Sequence, residues 1–279
     1  MREILIKPII FFLSLQFLII SYNCTNKSQK NLVFVKGGKI LNKNSNFYGK
    51  KIKDFYIGKY EVTQKEWKEI MGYNPSQFKG DNLPVESVNW YECIEFCNKK
   101  SIKEGLNPYY NIDKTKKDTS IKFEYDTLKW TITVNPNANG YRLPTIEEWE
   151  YAASGGKKSK GYIFSGSNNI DQVAWYWRNS GKTFLKGYWI WNDLVKNKNK
   201  TKPVGQKKPN ELGIYDMSGN VREWCWNKYI PSNPNEIEGR IWKGGGWMGA
   251  EYCCEISFTG SLEQIGKGPD QGLRICRNK

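Results

Sequence analysis

Asp216-Met217-Ser218-Gly219-Asn220-Val221-Arg222-Glu223-Trp224 and, further on, Arg240-Ile241-Trp242-Lys243-Gly244-Gly245-Gly246-Trp247 carry neither the period of an amphipathic helix nor the alternation of a half-buried strand. Glycine, asparagine, proline and tryptophan punctuate everything from Lys157 to the C-terminus, which predicts short strands and long loops and no helix of normal length. So much aromatic sequence with so little regular structure needs something beyond burial to hold its loops. Bound metal and disulfides are the evident candidates.

Upstream of that region the helix signals are explicit. Thr63-Gln64-Lys65-Glu66 has capping-box spacing and predicts a helix from about Gln64 to Met71, stopped by Gly72. Asn89 caps a second helix whose apolar stripe is Trp90, Cys93, Ile94 and Cys97, so these two cysteines read as small core residues. Thr145-Ile146-Glu147-Glu148 repeats the capping box after Pro144 and starts a third helix, ended by Gly155-Gly156. Residues 32–35, 54–62 and 130–134 read as strands, and residues 106–129 as an irregular charged region. Both helices and strands are therefore expected.

The 279 residues include 41 aromatic side chains (12 Trp, 17 Tyr, 12 Phe), enough area for one substantial core although only 39% of residues are hydrophobic. Histidine is absent, which excludes Ser-His-Asp triads, Cys-His dyads and His-ligated zinc. The 43 Lys and Arg against 28 Asp and Glu give +15, but the lysines are scattered. The densest stretch, from Lys196 to Lys208, alternates with Asn and Thr and reads as a solvated loop, so no nucleic-acid partner is expected.

Arg2 and Lys7 precede an apolar run, residues 9–20, that is too short to span a bilayer needing about 20 such residues. Cys24 follows directly, and then a polar stretch to Asn31. This resembles a bacterial lipoprotein signal with Cys24 as the lipidated residue. The expected organisation is a signal peptide over 1–23, a tether over 24–31 and one domain over 32–279. The domain is then exported, to the periplasm or the cell surface, and held at a membrane through a lipid anchor. Export permits disulfides among the six remaining cysteines, Cys93, Cys97, Cys225, Cys253, Cys254 and Cys276, without choosing among pairings.

Five blocks together, Tyr60-Glu61-Val62-Thr63, the stretch 84–90 (Pro-Val-Glu-Ser-Val-Asn-Trp), the stretch 141–153 (Tyr-Arg-Leu-Pro-Thr-Ile-Glu-Glu-Trp-Glu-Tyr-Ala-Ala), the opening stretch 216–224 and Lys243-Gly244-Gly245-Gly246-Trp247, resemble the formylglycine-generating-enzyme family, also called the sulfatase-modifying-factor family. Gly272-Leu273-Arg274 extends the match. The resemblance covers about Leu32 to the end. It implies an irregular α+β, C-type-lectin-like fold of the formylglycine-generating-enzyme type, with little regular secondary structure and bound calcium.

In the active members two cysteines hold copper(I), the metal that soft thiolates favour. The pattern places the first at Gly249 and the second at Cys254, so one ligand is missing, and the usual serine after the paired glycines is Gly246. Cys254 is therefore catalytic only if the chain remains a copper-dependent formylglycine-generating oxidase acting on a cysteine of a sulfatase-type substrate. The family pattern further implies a Cys97–Cys276 bridge, and Cys225–Cys254 is the pairing expected beside it. Calcium is expected at Asn220 and Glu223, with Glu223 alternatively a plain salt-bridge partner. The favoured expectation is a non-catalytic, calcium-stabilised scaffold that presents Trp247, Met248, Glu251 and Tyr252 to a protein or glycan ligand. Trp247 and Tyr252 read equally well as core.

Overall fold

The two N-terminal helices form where their caps stand. In the computed structural model, which describes residues 31–231, 233 and 238–279, helix α1 runs Gln64–Met71 with the Thr63 hydroxyl accepting from Glu66 N–H and Gly72 closing it at φ 85°. Helix α2 runs Trp90–Lys103 behind a complete Asn89/Glu92 capping box. Glu66 makes no reach-back bond of its own kind. Its carboxylate pairs instead with Lys100 of α2 at 3.1 Å, tying the two helices together. Helix α3, Ile146–Ala153, has the full Thr145/Glu148 box. Beyond it, among the described residues, two short α-helices occur, α4 (Ile170–Val173) and α5 (Trp191–Lys196), with single 3-10 turns at Gly156–Lys158 and Glu251–Cys254.

Two four-stranded sheets carry the rest. The first has the order β1 (Leu32–Val35), β4 (Phe55–Gly58), β12 (Cys276–Asn278), β7 (Tyr141–Arg142), so the C-terminal strand is inserted between elements from far earlier in the chain. The second has the order β10 (Gly260–Leu262), β9 (Gly239–Lys243), β8 (Arg222–Tyr229), β11 (Gln271–Gly272), with β11 parallel to β8. Two hairpins, β2 (Gly38–Lys39) with β3 (Lys51–Ile52) and β5 (Tyr110–Lys117) with β6 (Trp130–Val134), complete the strands. The stripe Trp90, Cys93, Ile94 and Cys97 is wholly buried in one core cluster with Trp67 and Trp224. A second cluster gathers around Trp149 and a third around Trp247.

Several expectations are corrected. Residues 110–117, expected to be irregular, form β5. In that strand only Tyr110 is buried, so the exposed Asp and Lys positions erase the alternation by which strands are read. The strand expected over 54–62 ends at Gly58, after which Val62 N–H bonds to Leu273 across the fold. In the lysine-rich stretch Lys196, Lys198 and Lys200 point outward while Asn197, Asn199 and Thr201 are buried, so it is a packed ladder rather than a solvated loop. All six described cysteines are free thiols, and neither Cys97–Cys276 nor Cys225–Cys254 is bonded. The members of each pair lie in different core clusters. The Cys276 sulfur accepts from Arg142 Nη1 at 3.0 Å instead. Cys24 and the signal segment lie outside the described residues. Among the described residues no helix is long and apolar enough to cross a membrane.

Candidate functional site

The stretch 216–224 folds as a bent loop because two of its non-glycine residues, Asp216 and Asn220, occupy the left-handed region at φ 57° and 64°, which short polar side chains tolerate. Main-chain bonds zip it to the glycine run: Gly219 N–H donates to Gly244 at 2.7 Å and Trp247 N–H to Asn220 at 2.8 Å. Beneath the loop lie three buried carboxylates, Glu61, Asp216 and Glu223, with one guanidinium, Arg274. Arg274 Nη2 donates to Glu223 at 2.6 Å and Trp149 Nε1 at 2.7 Å, so Glu223 is held as a salt-bridge partner on both oxygens. Asn220 Nδ2 donates to Glu61 at 2.6 Å, and its Oδ1 accepts from Lys202 N–H at 2.9 Å.

Burial, reinforced by Asp216 and Glu223, pushes the Glu61 carboxyl well above the usual range. Burial likewise lifts Asp216 to about 6, and its Oδ1 is a buried oxygen with no hydrogen-bond partner. Oxygen donors in a buried, net-negative cluster suit a hard divalent cation. The partnerless oxygen belongs to Asp216, which the sequence reading had not singled out, whereas the Asn220 side chain is fully engaged by protein. Among the described residues no three acidic or thiol side chains converge to hold a metal by themselves. Of the side-chain oxygens expected or found here, Asp216 Oδ1 is the one left open to a cation, and Asn220 is not.

The glycine run forms one wall of a cavity of about 430 Å³, lined also by Trp189, Trp191, Trp242, Met248, Tyr252 and Phe258. Glycine is required in the run by close approach. A Cβ on Gly245 would stand 2.9 Å from Cys254 Sγ, and one on Gly246 2.4 Å from Asp270 Oδ2. The buried Asp270 carboxylate thus fills the space beside Gly246, and it is clamped by Arg222 Nη2 at 2.7 Å and Nε at 2.9 Å. Arg222 lies over Trp242 at 4.9 Å, presenting a guanidinium in otherwise aromatic walls.

The residues expected to carry chemistry separate in space. Cys254 is buried in the third core cluster, and burial pushes its thiol well above the ordinary range. Adjacent Cys253 lines the cavity, so the two thiols face different environments. Gly249 offers none. Two convergent thiolates are absent from this site, and it does not fit copper(I) held in the family's manner.

The expected presenting residues divide as well. Trp247 is core, 3% exposed, with Nε1 donating to Pro269 O at 2.8 Å. Met248 lines the cavity and Tyr252 is 58% exposed at its edge. Glu251 is occupied by Arg178 at 2.5 Å and by Trp177 Nε1 at 3.0 Å, and so braces the rim. Trp189 and Trp191 were missed. The signal was present in the run Tyr188-Trp189-Ile190-Trp191, which has no period to assign it to an element.

The model of the sulfatase-modifying factor enzyme 1-like domain matches residues 18–279. The chain is 57% identical over 251 residues to chaperone protein LppX of Paenibacillus barcinonensis, covering 89% of this chain and 90% of that one. It is 29% identical to the mouse (Mus musculus) formylglycine-generating enzyme over 208 residues, 69% of this chain but only 43% of the mouse protein. Among solved structures, Treponema denticola variable protein 1 superposes with a TM-score of 0.70 at 30% identity, over 89% of this chain and 94% of that one. The chain belongs to the sulfatase-modifying-factor (formylglycine-generating-enzyme) family. Its fold is the irregular C-type-lectin-like one of that family, as the opening stretch implied.

Proposed function

We propose that this chain is an exported, lipid-anchored binding scaffold without oxidase activity, stabilised by calcium, whose aromatic cavity receives a protein or glycan ligand. The observation that carries the reading is the content of that cavity: aromatic walls, Arg222 at one side, and the Arg222–Asp270 pair beside Gly246 in place of paired thiolates. Large aromatic side chains with a neighbouring guanidinium are the groups that dominate recognition surfaces. Few polar groups converge on the cavity, which favours an apolar side chain of a protein over a sugar hydroxyl array. The relative from Paenibacillus barcinonensis is called a chaperone protein, a name compatible with binding exposed apolar side chains.

Calcium's part would be structural, neutralising the buried carboxylates so that the loop 216–224 stays bent against the glycine run. Metal analysis together with chelation tests the reading. The mature protein is expected to contain calcium and no copper, and to melt at a lower temperature once a chelator removes the calcium. Bound copper at one equivalent, with no response to chelating calcium, would favour the oxidase reading in which Cys254 acts.

A further inference from the structure

Residues 182–202 carry six lysines and a single acidic residue, Asp193, and display apolar side chains on the surface of a fixed backbone. Phe184 is 51% exposed, Tyr188 89%, Ile190 51% and Val195 57%. The segment is clamped at both ends and in its middle. Lys182 N–H donates to Asn197 O at 2.9 Å, the Asn197 side chain bonds the main chain of Thr183 in both directions, and Leu185 N–H donates to Arg178 O at 2.8 Å. Trp189 Nε1 donates to Met248 O at 2.8 Å, Trp191 packs on Trp247 at 6.3 Å, and Leu194 is buried. With Trp189 and Trp191 turned partly toward the cavity, Tyr188 and Ile190 face solvent. Lys182, Lys186, Lys196, Lys198 and Lys200 are exposed, and among the described residues none forms an ion pair.

Several large apolar side chains exposed along one ordered segment are uncommon on a soluble surface unless something covers them. Its composition points to the covering partner. Amphipathic Trp and Tyr rings favour the headgroup layer of a bilayer, and a one-sided excess of unpaired lysines complements anionic headgroups. A protein groove or a second copy would not call for this excess, because the chain itself is strongly basic.

We propose that residues 182–200 form a membrane-contact strip that seats Phe184, Tyr188, Ile190 and Val195 in the headgroup layer of an anionic bilayer, with the flanking lysines on lipid phosphates. The strip is independent of the ligand reading, since its outward residues do not line the cavity, and either can fail without the other. Its contact would fix the orientation of a tethered domain on the membrane.

The test uses the full chain with vesicles of phosphatidylcholine alone or of equal parts phosphatidylcholine and phosphatidylglycerol, both brominated on the acyl chains. Bromine quenches a tryptophan that enters the bilayer. Quenching is expected in the anionic vesicles, to be lost in Trp189→Phe/Trp191→Phe, and to be abolished by Tyr188→Ser/Ile190→Ser with the unfolding midpoint unchanged. At about fivefold per lysine near an anionic surface, Lys186→Gln/Lys196→Gln should weaken engagement about 25-fold. Equal quenching in neutral vesicles, or quenching that persists in Tyr188→Ser/Ile190→Ser, would overturn the proposal. So would lipid-free self-association that the same double variant abolishes, because a second copy would then cover the strip.

Discussion

Asp216→Asn is expected to make the calcium-free protein more stable at neutral pH. Asp216 is buried at φ 57°, a conformation asparagine accepts as readily as aspartate, so the change alters charge with little change in shape. Its Oδ2 accepts from Gly205 N–H at 2.6 Å, which an amide oxygen can keep doing, while Oδ1 has no partner to lose. The folded carboxyl is raised from 3.8 to about 6, first by burial and then by Glu223, with Gly205 N–H and Arg274 opposing. A shift of about two units corresponds to about 3 kcal/mol.

The direction follows from proton binding. Between about pH 4 and 6 the folded state holds a proton that the unfolded state has released, so stability falls as pH rises through that window. Below it the penalty is absent, and above it the full cost of about 3 kcal/mol persists. Urea unfolding of both proteins at steps from pH 4 to 7, in chelator, reads this as a difference, to which Glu61 adds in the same direction because Asp216 helps raise its carboxyl. The variant should match the parent near pH 4 and exceed it by about 2–3 kcal/mol at pH 7. With excess calcium the parent should gain and the variant should gain less. A parent curve parallel to the variant's across the window, or a variant less stable at pH 7 in chelator, would refute the reasoning.

Other outcomes follow from the same packing. Arg274→Met leaves Glu223 buried without its counter-charge and should cost about 3–5 kcal/mol in chemical unfolding, far more than loss of an exposed pair. Trp247→Ala should cost a similar amount by emptying the third core cluster, whereas Tyr252→Ala should leave the unfolding midpoint nearly unchanged. Alkylation of the denatured protein without reductant should label Cys93, Cys97, Cys225, Cys253, Cys254 and Cys276 alike. Protection of Cys97 with Cys276, or of Cys225 with Cys254, would restore the bridges that the family resemblance implied. Mass spectrometry of the mature N-terminus should find an acylated Cys24, and an unmodified N-terminus downstream of it would remove the lipid anchor.

The helices were legible because their determinants are local. Thr63, Asn89 and Thr145 each cap within three residues, and the stripe from Trp90 to Cys97 states its own buried face. The opening loop was legible as irregular and as the family's, but its supports were not. Glu61 meets Asn220 and Val221 at separations of 159 and 160 residues, and Arg274 reaches Glu223 from the C-terminal strand region, pairings that no sequence period encodes. Glu61 and Asp216 were both inside quoted motifs. Their role as a charge cluster appears only once burial brings them together. β5 was hidden for a different reason, since beyond Ile112 its residues are exposed and its Asp and Lys positions carry no alternation, whereas its partner β6 was legible. The cavity was half legible: its glycine wall stood in the family block, while Trp189 and Trp191 came from a stretch with no helical or strand period.

The scaffold reading stands or falls on chemistry at Cys254. The direct measurement is aldehyde formation on a cysteine-containing sulfatase-type peptide, incubated with the mature protein, copper(I) and oxygen and followed by mass spectrometry. A buried Cys254 thiol beside Gly245, with Gly249 offering no second sulfur and Asp270 beside Gly246, predicts that the peptide cysteine remains unconverted. Conversion to formylglycine that disappears in Cys254→Ser would contradict the account and make this chain an oxidase.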